Sequence, residues 1–367
     1  MADRADIAVI GAGVIGLSTA FALTEQGATV AIYERGVPGN AQSGGESRIF
    51  RHAHDDRRMV ALAREARGVW REWEERFGQE LLSRDGVISI GPAVDRRLAI
   101  LLEAGGVRVG RIGSSELAQA MPLLAPWDGP AMLDEDGGVI RARAAIEALT
   151  GVLAGTIVAE EVLAMRVTSR GSVEVRTGAT AVEYERAVLC AGRGTAALAR
   201  SAGIPLPVRQ AVHVRLTYAL RGEPPERLPC LLAGDGTFGE PAYGDAMPGN
   251  EAFAVGLGDI LIHEDGSLIA PTALAQATER THAYVSRALP GLDPDPIDVR
   301  HCWVTELPWH PDGIAVWEAE GLLILAGGNM FKHAPLLGRT LARGVLGEGV
   351  PESLNPQANL GAERFTR

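Results

Sequence analysis

The feature that most constrains this chain lies at its start. In DIAVIGAGVIGLSTAFAL a short apolar run, Asp6 to Ile10, meets Gly11-x-Gly13-x-x-Gly16, and helical apolar spacing follows from Leu17 to Gln26. A second apolar run, Ala28 to Glu34, ends in an acid eighteen residues beyond Gly16. Each part has a physical job. The first glycine permits the tight turn, the second lets a backbone approach a pyrophosphate, and the third lets helix pack on strand. The helix N-terminus presents unpaired N–H groups to phosphates. Glu34 is placed to accept hydrogen bonds from ribose hydroxyls and to repel a 2′-phosphate. The order predicts strand, turn, helix, strand and a bound dinucleotide. The alternative is a glycine-rich turn with no ligand, and the motif alone does not say which dinucleotide.

The chain has 367 residues, 46% hydrophobic and 22% charged, enough for one large α/β unit or two interleaved domains and too apolar for disorder. Its 35 basic residues face 46 acidic ones, a net −11, so there is no global field to hold nucleic acid. Cys190, Cys230 and Cys302 are far apart with no CxxC spacing, which suggests neither a disulfide framework nor a metal site and fits a reducing compartment. The glycines interrupt the N-terminal apolar stretch, and no cleavage pattern follows. The expectation is a cytoplasmic protein without a membrane span. One count is unusual: Lys332 is the only lysine among the 35 basic residues. A coding bias toward arginine accounts for most of this, and the remaining lysine then marks a place where a compact ammonium serves better than a planar guanidinium.

A Gly/Ser-rich loop, Gly36 to Gly45, leads into ESRIFRHAH, where Arg48 and Arg51 either share a helix face or point into a cleft beside an anion. From Arg57 to Phe77 the apolar positions follow a helical period among many charges. The middle mixes β-like runs (GVISI, VEVRT, RAVLCAG, AVHVRLTYAL) with the helical RARAAIEALTGVLA, and a helix is expected from Ala273 to Leu289. The strand GLLILAGG and a helix from Leu337 to Leu346 close the pass. The N-terminal runs and LLILAGG are continuously apolar, as buried parallel strands are, so both chain ends are expected to feed one sheet. Cys190, in RAVLCAGRGT, and Cys230 read as buried small hydrophobes.

Together these segments carry a resemblance. DIAVIGAGVIGLSTAFALTEQGATVAIYERG, GGESRIFRHAH, GVISIGP, RAVLCAGRGT, PAYGDA, HCWVT and LAGGNMFKHAPLLG occur in the order, and over nearly the whole length, of the FAD-dependent amine oxidoreductases of the D-amino acid oxidase superfamily. Within it the chain resembles the monomeric sarcosine oxidase and N-methyltryptophan oxidase group. The resemblance implies a mixed α/β (α+β) fold: a Rossmann-like FAD-binding domain (1–80, 140–205 and 310–367) and a substrate domain with a mixed or antiparallel sheet (81–139 and 206–309). It implies that Gly11, Gly13, Gly16, Glu34 and Arg35 hold the ADP half of FAD, with Val162 at the adenine. Ser47, Arg48, Gly192, Gly328 and Lys332 would lie along the rest of the cofactor. Cys302 falls where the group links its flavin covalently through a thioether. Arg51 and Lys332 match the pair that binds the substrate carboxylate, which gives the sole lysine a reason, and Tyr243 matches an active-site tyrosine.

Other positions depart from the group. Its lysine above the flavin, which promotes reaction with oxygen, falls at Ala254, with no other lysine nearby. A histidine four residues later is Gly258, and two tyrosines become Val304 and His54. The implied activity is FAD-dependent oxidation of a C–N bond in a secondary, N-methylated or cyclic amino acid by a monomer. Electrons pass to O2, giving hydrogen peroxide, or, as the change at Ala254 suggests, to another acceptor. An NAD-dependent dehydrogenase shares the glycine motif but leaves HCWVT and FKHA without explanation.

Overall fold

The computed structural model describes residues 5–258, 261–262 and 271–362. The continuously apolar runs form strands buried along their whole length: Ile7–Ile10, Val30–Tyr33 and Leu322–Gly327. They join one six-stranded sheet in the order Ile314–Ala319, Leu322–Gly327, Arg186–Leu189, Ile7–Ile10, Val30–Tyr33, Ile157–Val158. All its pairings are parallel except that of the Ile314–Ala319 edge. Strands near both chain ends therefore share this sheet. Helix Val14–Glu25 is buried along nearly all its length and packs with helix Ala334–Arg343 in one core. A Cβ at Gly338 would overlap Ser18, so glycine lets these two helices approach closely. On the opposite sheet face, the antiparallel ribbon Val162–Val167, Val173–Thr177 and Ala181–Tyr184 builds a second core with Ala8, Ile10 and Ala31.

The second large sheet is mixed. Its order is Leu261–Ile262, Arg209–Leu220, Ala252–Leu257, Ala242–Ala246, Cys230–Ala233, Val87–Ile90, Ala131–Asp134, Val109–Arg111, with Leu292–Glu306 on the other side of Arg209–Leu220. The pairing of Arg209–Leu220 with Leu292–Glu306 shifts register near Tyr218, which lies opposite Pro296. Proline cannot donate to the ladder, so the irregularity falls where it must. Between the two sheets, Ser47–Phe50 pairs antiparallel with Gly138–Arg141, so Arg48 lies on a strand and not on a helix.

The amphipathic stretch is helix Arg57–Phe77, capped by the Asp56 carboxylate accepting the Arg58 N–H and ended by left-handed Gly78. Its Trp70 Nε1 donates to the Lys332 carbonyl at 2.8 Å, which fixes the segment carrying the only lysine. The C-terminal helix starts three residues before the expected Leu337, with Pro335 in its first turn, where a missing N–H costs nothing. The expected Ala273–Leu289 helix is Pro271–Ala288. Among the described residues, no helix is long and apolar enough to cross a membrane.

Candidate active site

A continuous cleft of about 980 Å³ runs from the glycine turn, past the inner face of the mixed sheet, to Lys332. At its first end the main chain does the shaping. Gly11 has φ +98°, and a Cβ there would come within 2.7 Å of the Cys190 carbonyl oxygen. A Cβ on Gly16 would overlap the Gly11 carbonyl, so the third glycine seats helix on strand and does not face the cleft. Gly13 is the N-cap of helix Val14–Glu25 and offers no side-chain cap, while Ser43 Oγ accepts the Val14 N–H at 3.0 Å. Positive helix-end charge thus opens into the cleft. The Glu34 carboxylate accepts the N–H groups of Ala12 and Gly36, each at 2.9 Å, which fixes it at the cleft edge. Arg35 pairs with Glu161 at 3.0 Å on the exposed rim, beside Val162. Opposite, Gly192 (φ +54°) leaves room for Gln42, whose amide donates to the Trp303 carbonyl at 3.1 Å. Arg193 lies over the Trp303 ring at 4.4 Å.

The middle of the cleft is a sheet face. Residues opposed on neighbouring strands share a face, so the register sets His213 beside Cys302, then the row Tyr243, Gly256, Arg215, then the row Asp245, Ala254, Thr217. The central strand offers only small side chains here, and its neighbours lie across it. The Tyr243 ring covers Gly256, where a Cβ would overlap it. Arg215 reaches past Ala254 to Asp245 at 2.7 and 2.8 Å and to Ser47 Oγ at 2.9 Å. Burial works most strongly against the Arg215 charge, but Asp245 together with the other groups around it outweighs burial, and the guanidinium pKa stands above its ordinary value. Ser47 itself is buried behind this pair. Arg48 donates to the carbonyls of Ser47 and Gln42 and lies 5.8 Å from the Phe331 ring centre; burial and nearby Arg215 lower its pKa. Burial pushes the Tyr243 phenol up. Cys190 is pushed up to about 12 by burial, and Cys230 well up, as inert core thiols should be.

The far end is a cluster of charges. Arg51 donates to Asp312 Oδ2 at 2.7 Å and to the Ala53 carbonyl. Lys332, 4% exposed, donates to the Asn329 carbonyl at 3.0 Å, and the Asn329 side chain donates to Asp312 Oδ1. His54 Nδ1 stands 3.6 Å from Asp312 Oδ2. Burial drives Lys332 down to about 8, with Asp312 supporting its charge and Arg51 opposing it. Burial alone would raise Asp312; Lys332 and Arg51 hold it well below the usual carboxylate range. His54 is driven well down, by burial and then by Arg51, and is neutral. Gly328 does not line the cleft: a Cβ there would overlap the Pro311 carbonyl, so this glycine admits the loop that carries Asp312.

The cleft therefore brings together Gly11, Gly13, Glu34, Arg35, Arg48, Arg51, Val162, Gly192, Tyr243, Cys302 and Lys332 and leaves Gly16, Ser47 and Gly328 just behind its wall. Sequence reasoning missed Arg215, Asp245 and Asp312. The first two carried a signal, since a charge inside an otherwise apolar strand such as VHVRLTYAL is out of place unless it is paired.

A family model described as FAD dependent oxidoreductase (DAO) matches residues 6–343. No curated protein sequence matches the chain. Among solved structures, NikD, described as an unusual amino acid oxidase essential for nikkomycin biosynthesis, aligns with TM-score 0.81 at 20% identity over 99% of this chain and 98% of that one. L-proline dehydrogenase from P. horikoshii gives 0.83 at 17% identity over 99% and 100%. Glycine oxidase from Geobacillus kaustophilus gives 0.78 at 20% over 99% of both chains. At these identities the likeness is one of fold. The glycine turn, with an acid at the next strand end and a long cleft behind it, fits a flavin dinucleotide, and the family match displaces the nicotinamide alternative. The chain is an oxidoreductase that belongs to the DAO family of FAD-dependent enzymes.

Proposed function

We propose that the protein oxidises a C–N bond in a secondary, N-methylated or cyclic amino acid. The observation that carries this is the cation pair Arg51 and Lys332 at the end of a cleft that begins at a dinucleotide-type glycine turn. The solved relatives of the same fold are titled amino acid oxidases and dehydrogenases, which supports the same class.

In this reading residues 1–80, 140–205 and 310–367 form the FAD-binding unit, and 81–139 with 206–309 the substrate unit. Gly11, Gly13 and the first turn of Val14–Glu25 hold the pyrophosphate, Glu34 the ribose, and Arg35 and Val162 flank the adenine. Gly16 and Gly328 act through packing. Gly192 and Arg48 border the flavin, Ser47 acts from behind the wall through Arg215, and Cys302 is the flavin's covalent anchor. Cys302 lines the cleft, opposite His213 on the neighbouring strand. FAD, when bound, supplies the two-electron acceptor, taking hydride from the carbon next to nitrogen and passing electrons to O2, with hydrogen peroxide as product, or to another acceptor.

The chain's own contribution is positioning. Arg51 and Lys332 grip the carboxylate in a dry pocket, where charge-assisted bonds are strong. That fixes which C–H is presented and converts a bimolecular encounter into an oriented one. The amine must react neutral, and cations on both sides favour loss of its proton. Tyr243, over Gly256, walls the substrate. Hydride loss leaves an imine, which water hydrolyses. Arg215 sets a guanidinium over Ala254, so a cation is present on this face without a lysine, and this favours oxygen as the acceptor.

Anaerobic addition of candidate N-methyl and cyclic amino acids should bleach the visible flavin bands, and air should restore them with one peroxide per turnover. A yellow protein that no amino acid bleaches would overturn the reading. After acid precipitation the colour should stay with the pellet and leave it in Cys302→Ser; release from the native protein would make Cys302 structural only.

A further inference from the structure

Of the two cations proposed to take the substrate carboxylate, Arg51 already bonds one, and Lys332 reaches the same carboxylate's neighbour, Asn329. Asp312 lines the cleft with its side chain 10% exposed, bonded to Arg51 at 2.7 Å and to the Asn329 amide, with His54 Nδ1 at 3.6 Å. It is built into place. His310 Nδ1 accepts the Asp312 backbone N–H at 3.0 Å, Gly328 admits the Pro311 carbonyl, and Asn329 takes the left-handed conformation (φ +48°) that asparagine tolerates.

We propose that Asp312 is a positioning residue: bonded to Arg51 and linked to Lys332 through Asn329, it holds two like charges together so that the pair takes one substrate carboxylate. This rests on the reading that Arg51 and Lys332 form the carboxylate site.

The charge count supports it. Arg51 and Lys332 contribute +2 and Asp312 −1; His54 and His333 are both driven well below their ordinary pKa by burial and are neutral. One positive charge remains for one carboxylate. The other groups bearing on Arg51 are Arg97 and Asp55, which bond to each other at 2.8 Å. Packed against the turn of Lys332 are helix Arg57–Phe77, through the uncharged Trp70, helices Val14–Glu25 and Ala334–Arg343, and strand Ser47–Phe50, whose Arg48 lies by Phe331, with the loop of Asp312 joined through Asn329; Asp312 supports the lysine's charge, while burial and Arg51 oppose it. Without Asp312, two buried cations face each other, and the lysine is the one that can yield its proton. Asp312 therefore is not a mere competitor for the cations. Removing it weakens the site at neutral pH instead of opening it.

The sign follows from linkage. With Lys332 near 8, a bound carboxylate favours its protonated form, so affinity is level below about pH 8 and falls as pH rises beyond it. The test is the dissociation constant of acetate from flavin-loaded protein, read from the visible spectrum or from thermal shift, between pH 6 and 9.5. In Asp312→Asn the fall should begin at least one pH unit lower, weakening acetate about threefold or more at pH 7.5 and recovering toward the native value at pH 6. Asp312→Glu, which keeps the charge, should weaken acetate while leaving the midpoint near 8; it decides the matter if Asp312→Asn does not fold. Tighter acetate binding by Asp312→Asn at every pH, an unchanged profile, or a lowered midpoint in Asp312→Glu would overturn the proposal. Native protein that binds no acetate at any pH overturns the carboxylate site itself, and this role with it.

Discussion

The glycine-turn end of the cleft is shaped by main chain from residues 11–14 and 190–192, whereas the Lys332 end is shaped by charged side chains from separate segments, Arg51, His54, Asp312 and Lys332. The first end has two fixed side-chain anchors, Glu34 and Ser43, both bonded to nearby backbone N–H groups. At the second end every charge leans on another. A backbone site tolerates change in side chains but not in conformation, and a charge cluster the reverse.

The sharpest way to break this contrast is at Gly11. A valine there meets both the positive φ and the Cys190 carbonyl, and Gly11→Val should purify without flavin absorbance. A yellow variant would mean that the turn is not what holds the dinucleotide. At the other end, Lys332→Met should keep its flavin spectrum and lose about ten- to hundredfold in kcat/KM, the worth of one charge-assisted hydrogen bond of roughly 1.5–3 kcal/mol. Loss of flavin together with activity would show that the two ends do not separate. The mildest test lies between them. Asp245→Asn leaves Arg215 buried beside Arg48 without its counter-charge, and thermal unfolding should show about 3 kcal/mol of lost stability. The double change Asp245→Leu, Arg215→Met should recover much of it. If the single change costs nothing, the pair is better solvated than its burial indicates.

The same contrast explains what could be read from the sequence. The glycine turn, Glu34 and the buried strands were legible because local order, a strand before and a helix after, carries their meaning. Arg51 and Lys332 were reached only through a family pattern, since nothing in either segment says that they meet 281 positions apart. Arg215 and Asp245 escaped because their partnership crosses a strand whose small residue Ala254 reads only as a missing group. Asp312 escaped because a Pro-Asp-Gly sequence reads as a turn, which it is; that the turn delivers a carboxylate into a cleft depends on Gly328 and Asn329 in the next segment.

The solitary lysine has one more consequence. A protease that cuts only after lysine has one site in this chain, and cleavage would yield pieces of 332 and 35 residues. That peptide bond lies in a buried turn, Met330–His333, tied down by Trp70. Cleavage therefore requires the turn to open, and where opening is fast its rate counts the open molecules. Any compound that settles against Lys332 will slow that cut in proportion to its occupancy, so a two-band gel becomes a ligand screen that needs neither turnover nor colour.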